Sequence, residues 1–504
     1  HERFDYDFFE ELPAMINCDQ INYLNGRMTH HDVHGHGALA FYRSHKNPTD
    51  PNVGHVIVLD GFGNNQEVFS IYKFNVRDNT LEKFISIKGY QYSLGLMYEF
   101  ATEFMGMKPH EDEYKALGYE SKIDTIADAV KHNIIILANQ FSEELVNEMV
   151  GSVELPIEMN IHPSEIYINV EEFEESRKHF FQIFTDLLEE SQFNKIYANS
   201  EDSTHEKRIV MSFFIQSVLE NVVNELAHKY CNYMETTLLL AGGVAYNVKL
   251  NNSLMNSLAA PYNKNKYSVY PLAGDQGAAL GFYDAKYGNL DLKTKGLLFG
   301  RRSLHVDNDE FDRINKNLFD KYGERFPFTI FYDYDCLIDN VITKLSNDEI
   351  VEIIRGDMEF GPRALLANST LAIPTEENVN IINAVNGRNT VMPFAPVVTT
   401  EGMKYLFDDD YEKVVGSLGY MILTLDYRKD LVDNPEFVKL HKGVMHRYPL
   451  PDVDSDGNEY YRYSGRPQVI DSTHQLYPIL KALEKKGIYA LIQTSYNIHG
   501  KPIT

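Results

Sequence analysis

A chain of 504 residues is too long for one hydrophobic core, so its length predicts two or three domains. Its composition, 43% hydrophobic and 12% aromatic, excludes a disordered protein, and no stretch approaches the ~20 apolar residues that cross a membrane. The net charge of −26 disfavours a nucleic-acid polymer as partner, and three widely spaced cysteines favour a reducing, cytoplasmic setting.

The first motif in the chain is HHDVHGHG, residues 30–37, which contains four histidines. His30 and His34 are four residues apart, so on a helix both imidazoles face one side, as two ligands of one metal ion do. His31 and His36 would point elsewhere. Two histidines rarely hold an ion alone, so we expect a carboxylate to complete the site. The alternative is a histidine-rich surface turn.

A buried strand is predicted at residues 55–61, where the apolar run HVIVLDG ends at an Asp–Gly pair. Residues 68–74 predict its hairpin partner. Asp60 ends the first strand and is therefore a candidate carboxylate ligand. From about residue 97 to 230 the pattern becomes helical and acidic, and residues 213–230 carry an apolar stripe that predicts a core-facing helix.

The segment LLLAGGVAYNVKLNN predicts a strand, a paired-glycine turn and a helix. Gly242 and Gly243 allow backbone to approach a ligand closely, and a helix start offers free N–H groups. Asn247 and Asn251 are four residues apart, so we expect their amides on one helical face. A nucleotide site and an ordinary strand–turn–helix connection both fit this pattern.

A second small-residue turn, AGDQGAALG, sets Asp275 between Gly274 and Gln276. A carboxylate in such a loop can reach a metal ion or a phosphate-bound cation. It can equally cap the helix that follows. Asp60 and Asp275 are therefore the two candidates to join the histidines.

Three arginines lie beside Gly/Pro turns in the last third of the chain: Arg363, Arg388 and Arg466. A guanidinium offers a fork of donors that suits phosphate or carboxylate, so the three predict a shared anion site. The alternative is that each is a solvated surface charge. Ser495 and Asn497, in a turn near the end, are further candidate contacts.

The ordered motifs HHDVHGHGALAFYRS, VLDGFG, LAGGVAYNVKLN, AGDQGAALG, GDMEFGPRALLANS, MPFAPVV and TSYNIHGKPI resemble the O-carbamoyltransferases of antibiotic and nodulation-factor biosynthesis. The resemblance covers nearly the whole chain. It implies a further strand with a His–Asp motif upstream of this sequence and a closing segment downstream.

The resemblance implies an α/β fold in two domains. Residues 1–300 would form an actin-like ATPase domain similar to the tRNA threonylcarbamoyl-transfer protein, with a helical insert at about 97–230. Residues 326–504 would form a YrdC-like domain, after a loop-like boundary between about residues 291 and 326.

In such enzymes the second domain makes carbamoyl-adenylate from carbamoyl phosphate and ATP, with Mg²⁺ accompanying the ATP. The first domain passes the carbamoyl group to a hydroxyl of a small-molecule, sugar or nucleotide acceptor beside a metal, commonly iron. No membrane partner is implied, and a homodimer stays open as the assembly.

Carried over by position, the resemblance implies His30, His34, Asp60 and Asp275 as metal ligands. It implies His30, His34, Asp60 and Arg363 as catalytic residues. The implied nucleotide and anion contacts are Gly242, Gly243, Asn247, Asn251, Arg363, Arg388, Arg466, Ser495 and Asn497.

Three positions depart from the family pattern. Many members have Lys where this chain has Asn386, often Arg where it has Met392, and commonly Arg where it has Asp357. These losses of positive charge motivate an alternative, a non-catalytic nucleotide-binding module on the same fold. A third hypothesis is tRNA threonylcarbamoylation. The negative net charge of the chain and its fused second domain argue against this hypothesis.

Overall fold

The computed structural model shows a mixed α/β fold and describes residues 28–154, 169–231, 236–257, 265–293, 297–298, 308–323, 331, 333–388, 392–408, 411–495, 497–498 and 501–502. We call residues 28–293 the N-terminal part and residues 333–502 the C-terminal part. The end predicted for the first domain, residue 300, and the start predicted for the second, residue 326, lie outside the described residues.

The described helices are α1 His30–His45, α2 Leu94–Phe104, α3 Glu113–Tyr119, α4 Asp128–Gly151, α5 Val170–Glu190, α6 Phe193–Tyr197, α7 Ser203–Tyr230, α8 Val248–Ser257, α9 Ala278–Tyr287, α10 Asn308–Tyr322, α11 Tyr334–Ser346, α12 Glu376–Val385, α13 Thr400–Leu406, α14 Lys429–Val432, α15 Pro435–His441 and α16 Tyr477–Glu484. Short 3₁₀ helices at Glu120–Thr125, Gly243–Tyr246 and Asp275–Gly277 matter for the site.

The strands are β1 Val53–Leu59, β2 Glu67–Asn75, β3 Thr80–Lys88, β4 Thr237–Ala241, β5 Tyr267–Val269, β6 Val351–Ile354, β7 Asn368–Ala372, β8 Ala395–Thr399, β9 Leu425–Asp426, β10 His446–Arg447, β11 Asp452–Val453, β12 Glu459–Tyr460, β13 Tyr463–Gly465, β14 Gln468–Ile470, β15 Leu491–Ser495, β16 Asn497–Ile498 and β17 Lys501–Pro502.

The N-terminal part is built on a five-stranded sheet of order β3-β2-β1-β4-β5. The predicted hairpin is confirmed, because β1 pairs antiparallel with β2. On its other side β1 runs parallel to β4, with Val58 opposite Ala241. The carboxyl ends of parallel strands meet at one edge of a sheet, so Asp60 and the Gly242–Gly243 turn emerge side by side.

Helix α1 begins next to this edge. Thr29 caps it, because its hydroxyl accepts a hydrogen bond from the Asp32 N–H at 3.2 Å and Asp32 accepts one from the Thr29 N–H at 2.7 Å. Helix α9 packs closely on α1 at Gly281, where a Cβ atom would lie 2.0 Å from the Val33 carbonyl oxygen. This contact brings the Asp275 turn, which precedes α9, towards the start of α1.

Helix α7 forms the centre of a helical layer and packs against α4. Its predicted apolar stripe is buried; Phe214 is 1% exposed and Val222 is 0% exposed. Among the described helices, α7 alone is long and apolar enough to cross a membrane by length and composition. However, 72% of its apolar window is buried inside the fold, so it packs as a core helix does.

The C-terminal part contains a second five-stranded sheet, of order β14-β8-β15-β7-β6, and a small sheet of order β10-β13-β9. One continuous cluster of buried apolar side chains joins the two parts, since it includes Leu240 and Leu250 together with Val398 and Ile422. The α/β class expected from the sequence is therefore observed.

Candidate metal centre and arginine cluster

Four side chains that the sequence singles out as metal ligands come together in the structure. His30 Nε2 lies 3.0 Å from Asp60 Oδ2 and 3.1 Å from Asp275 Oδ1. His34 Nε2 lies 3.1 Å from Asp60 Oδ2 and 3.6 Å from Asp275 Oδ1. One ligand atom from each residue falls within 4.8 Å of the others, and the described residues contain no second such group.

The four candidate ligands come from three local structures. His30 and His34 occupy successive turns of α1, so their imidazoles share one face, as the spacing predicts. Asp60 follows the last residue of β1. Asp275 opens its 3₁₀ turn, and its carboxylate contacts the histidines; the N-cap of α9 is Gly277, without a side-chain cap. The capping alternative for Asp275 is therefore wrong.

The two other histidines of the motif point away from this cluster. His31 is fully buried, and its Nδ1 lies 2.8 Å from the Ser70 hydroxyl. Burial lowers the pKa of His31 to about 4, so it is neutral near pH 7. His36 Nδ1 is buried without a hydrogen-bond partner among the described residues. Two of the four histidines therefore face the candidate metal centre.

The histidines and carboxylates of this cluster shift one another's pKa values. Burial by itself lowers the pKa of His30, but the hydrogen bonds and charges of Asp275 and Asp60 outweigh it and raise that pKa to about 10. The same two carboxylates raise the pKa of His34. Burial favours the neutral form of Asp60, yet the two imidazoles hold the pKa of Asp60 well below its usual range.

This donor set fits a divalent transition ion. His30 Nε2 and His34 Nε2 lie only 3.0 Å apart, with Asp60 Oδ2 near both, so three electron-pair donors crowd one point. A cation relieves that crowding, and two imidazole nitrogens with two carboxylate oxygens are ligands that iron or zinc accepts. Such an ion would displace the protons that the cluster otherwise holds.

The paired-glycine turn contacts this cluster directly. Gly242 has φ +88°, and a Cβ atom there would lie 2.0 Å from the Leu59 carbonyl oxygen. The Gly243 N–H donates a hydrogen bond to Asp60 Oδ1 at 3.3 Å. The turn therefore needs glycine for its backbone conformation and close packing, and it helps to orient a candidate metal ligand.

The two asparagines after the turn are arranged differently from the expectation. Asn247 precedes α8 and caps it, because its Oδ1 accepts from the Leu250 N–H at 3.0 Å, while its Nδ2 donates to Gln216 at 2.8 Å. Asn251 is fully buried, and its Nδ2 donates to the carbonyls of Ala245 and Ile422. The expectation of a shared helical face is wrong, because the helix starts one residue after Asn247.

The three arginines converge. Burial lowers the pKa of Arg466, and the positive charges of Arg363 and Arg388 lower it further, so Arg466 lies within electrostatic range of both other guanidiniums. Arg363 donates to the Tyr246 carbonyl at 3.1 Å, while its Nε is buried without a partner among the described residues. These three arginines, which we call the arginine cluster, are not separate solvated charges.

The remaining residues that the sequence analysis names belong to strands and a helix end of the C-terminal part. Ser495 ends β15, where it pairs with Ser369 of β7. Asn497 belongs to β16, and its side chain lies outside the described part. Asn386 is 5% exposed and follows the last residue of α12.

Two residues that the sequence reasoning missed are Lys249 and His446. Both are 8% exposed and line one cavity together with Arg466. Lys249 lies two residues after Asn247, inside a motif already singled out, so a charged residue at the start of the predicted helix was the available signal. His446 had none, because only packing brings it to the cavity.

Comparison with known proteins identifies the family. Residues 2–282 match the family described as Carbamoyltransferase N-terminus, and residues 342–504 match Carbamoyltransferase C-terminus. An uncharacterized protein of Methanocaldococcus jannaschii is 27% identical over 419 residues, which cover 82% of this chain and 67% of that protein.

Two nodulation proteins are also similar over shorter lengths. Nodulation protein NolO of Bradyrhizobium diazoefficiens is 29% identical over 206 residues, covering 39% of this chain and 35% of that protein. Nodulation protein U of Azorhizobium caulinodans is 26% identical over 208 residues, covering 40% and 33%. Because the two family domains together match most of the sequence, the chain belongs to the carbamoyltransferase family and is a transferase.

Proposed function

We propose that this transferase is an ATP-dependent O-carbamoyltransferase. In the first reaction, carbamoyl phosphate, ATP and water give carbamoyl-adenylate, phosphate and pyrophosphate. In the second, a hydroxyl of a small-molecule, sugar or nucleotide acceptor takes the carbamoyl group and AMP leaves. The observation that carries the proposal is the convergence of His30, His34, Asp60 and Asp275 within 4.8 Å in a family member whose C-terminal part also gathers three arginines.

The arginine cluster supports the first reaction. Guanidiniums that repel one another in a partly buried site are stabilised when an anion binds between them. Both substrates of this reaction carry phosphate groups, and charge develops on their oxygens as bonds to phosphorus break. Arg363 is therefore proposed as the catalytic residue that stabilises this charge, with Arg388 and Arg466 holding the anions.

The candidate metal centre supports the second reaction. A bound divalent ion, iron by the family resemblance, would supply Lewis-acid polarisation of the carbamoyl carbonyl. His30, His34, Asp60 and Asp275 would hold it, and the Gly243 N–H keeps Asp60 in place. The acceptor oxygen bonds to the carbonyl carbon, its proton passes to a base at the site, and the bond to the adenylate oxygen breaks.

The proposal includes the folds of the two domains. We assign an actin-like ATPase fold to residues 1–300 and a YrdC-like fold to residues 326–504. The sheet order β3-β2-β1-β4-β5, with its antiparallel hairpin and parallel centre, supports the first assignment. ATP would enter with Mg²⁺.

The experiment measures pyrophosphate release from ATP by the purified protein, with and without carbamoyl phosphate. We expect release only when carbamoyl phosphate is present, together with formation of carbamoyl-adenylate detected by mass spectrometry. Release that is independent of carbamoyl phosphate, or no release, would contradict the proposal. Tight, salt-sensitive binding of tRNA would favour threonylcarbamoylation instead.

A further inference from the structure

The two candidate carboxylate ligands of the metal centre are held in different ways. Asp60 is 14% exposed, and its Oδ1 accepts hydrogen bonds from the N–H groups of Gly61 at 2.8 Å and Gly243 at 3.3 Å. The Asp275 side chain is 81% exposed, yet its Oδ1 lies 3.1 Å from His30 Nε2. A carboxylate this open to solvent loses conformational entropy when it binds an ion, unless the backbone that carries it is already fixed.

Tyr246 contacts both chain neighbours of Asp275. The Gln276 Nε2 donates a hydrogen bond to the Tyr246 hydroxyl oxygen at 2.6 Å, and Gly274 makes a backbone hydrogen bond with the same hydroxyl. The ring packs so closely on Gly274 that a Cβ atom there would lie 2.9 Å from a ring carbon. Burial raises the pKa of Tyr246 to about 12, so the hydroxyl keeps its proton at neutral pH. One neutral side chain therefore holds the turn on both sides of the candidate ligand.

Tyr246 is itself fixed from both parts of the protein. It ends the 3₁₀ helix Gly243–Tyr246, whose first residue contacts Asp60. From the C-terminal part, Arg363 donates to the Tyr246 carbonyl at 3.1 Å, and its guanidinium lies 5.8 Å from the centre of the Tyr246 ring, within range of a cation–π contact. The backbone and the ring are therefore held without the hydroxyl, which leaves the hydroxyl as a separate link to the Asp275 turn.

One short segment thus reaches both carboxylates of the centre, since its first residue contacts Asp60 and its last holds the turn of Asp275. We propose that Tyr246 is a positioning residue for the metal centre, whose hydroxyl fixes the Gly274–Gln276 turn so that Asp275 meets the ion as a preformed ligand. Without the hydroxyl the turn still packs on the ring but samples other positions, and the ion is held by the other three ligands for more of the time. This inference rests on the proposed function, of which the metal centre is a part.

The test uses Co²⁺ alone, an ion that accepts the same nitrogen and oxygen ligands, added to the purified protein after treatment with a chelator. Tyr246→Phe keeps the ring and removes the hydroxyl. In a calorimetric titration it should bind Co²⁺ about threefold to tenfold more weakly than the wild type, the range for one hydrogen bond. Wild-type affinity in this variant would overturn the proposal.

A double-mutant cycle with Asp275 separates positioning from a general effect on the fold. If Tyr246 acts through Asp275, removing the hydroxyl from Asp275→Ala should change the Co²⁺ affinity by less than about twofold. A further loss in that background as large as the loss in Tyr246→Phe alone would show that Tyr246 acts by another route, and would overturn the proposal.

The visible absorption spectrum of bound Co²⁺ gives a second measure, because it reports the ligands of the ion. At saturation the spectrum of Tyr246→Phe should shift from that of the wild type towards that of Asp275→Ala. A loss of stability alone would not alter the ligands of an ion bound to folded protein. Weaker binding with a wild-type spectrum would therefore refute the positioning role.

Two further variants serve as checks. Gln276→Ala removes the other end of the 2.6 Å hydrogen bond at an exposed position and should also weaken Co²⁺ binding, by about twofold or more. Tyr283→Phe is the matched control, since it removes the hydroxyl of a tyrosine that is 44% exposed on α9, and it should bind Co²⁺ as the wild type does. Wild-type affinity in Gln276→Ala, or equal losses in Tyr283→Phe and Tyr246→Phe, would contradict the proposal.

Pyrophosphate release by the wild type is measured alongside Co²⁺ binding. Carbamoyl phosphate-dependent release, with equal Co²⁺ affinities in the wild type and Tyr246→Phe, refutes the role of Tyr246 and leaves the proposed function intact. Weaker Co²⁺ binding by Tyr246→Phe, without such release by the wild type, refutes the proposed function and leaves the role of Tyr246 intact.

Discussion

The Nε2 atoms of His30 and His34 lie 3.0 Å apart, closer than two neutral imidazoles come unless a proton or a cation lies between them. They meet because α1 places them on successive turns, and because Asp60 and Asp275 approach the same point from a strand end and a 3₁₀ turn. A site that holds protons in this way is preorganised for a metal ion.

The first prediction concerns the histidines. His30→Ala and His34→Ala should each lose bound metal and carbamoyl transfer, because each removes one nitrogen ligand of two. Pyrophosphate release should survive in both, since we place the first reaction at the arginine cluster. His36→Ala is the control and should keep its metal, because His36 faces away. Metal analysis and product assays check this; metal loss in His36→Ala with retention in His30→Ala would show that the ligands are wrongly assigned.

The second prediction concerns metal removal. Dialysis against a chelator should stop carbamoyl transfer and leave carbamoyl phosphate-dependent pyrophosphate release in place once Mg²⁺ is restored. Returning iron(II) should restore transfer in the wild type but not in Asp60→Asn, whose amide is a weaker ligand than a carboxylate. Equal recovery of the two proteins would argue against Asp60 as a ligand.

The third prediction concerns Arg363. Arg363→Ala should lower carbamoyl phosphate-dependent ATP–pyrophosphate exchange by about 10–100-fold or more, because a charge-assisted contact to phosphate is lost. Metal content should stay unchanged. Arg428→Ala removes a partly exposed arginine paired with Asp430 and should keep wild-type exchange. Exchange at the wild-type rate in Arg363→Ala would place the first reaction elsewhere.

The fourth prediction concerns Gly242. A Cβ atom at this position would lie 2.0 Å from the Leu59 carbonyl oxygen, and φ is +88°. Gly242→Ala should therefore lower the free energy of unfolding by about 2–4 kcal/mol. Gly419→Ala, at a glycine with open space and no positive φ, should change it by less than about 1 kcal/mol. Urea denaturation of both variants measures these changes in unfolding free energy. Equal losses of unfolding free energy in the two variants would refute the steric argument.

The fifth prediction concerns pH and the buried carboxylate behind α1. Burial alone would raise the pKa of Glu67, but His31, Lys83 and Ser86 outweigh it and lower the pKa to about 2. Because the folded-state pKa lies below the ordinary value, the stabilisation is complete above pH ~4.5 and is lost as the pH falls towards 2. The shift corresponds to about 3 kcal/mol.

Glu67→Gln measures this contribution. The difference in unfolding free energy between wild type and variant should be constant above pH ~5 and should shrink as the pH falls from 4.5 to 3. Urea denaturation at pH 7, 5, 4 and 3 gives the difference. A difference that grows on acidification would mean that Glu67 is protonated in the folded protein.

Much of the candidate metal centre could be predicted from the periodicity of the sequence. The spacing of His30 and His34 matters only within one helix, and the helical period makes their shared face predictable. Asp60 was predictable because a buried strand that ends at Asp–Gly exposes the first polar residue, and the apolar stripe of α7 follows from the same period. Asp275 was a candidate because a small-residue turn can present a carboxylate, but its contact with His30 joins residues 245 positions apart, so no local rule could supply that contact.

What only the tertiary structure decided depends on contacts between distant segments. Whether Asp275 capped α9 or faced the histidines was settled by the close packing of α9 on α1 at Gly281. Asn247 became a helix cap because α8 starts one residue later than its pattern suggests. The meeting of Lys249 with His446 arises where the two parts dock, and the free energy of burying such groups depends on partners that no sequence window contains.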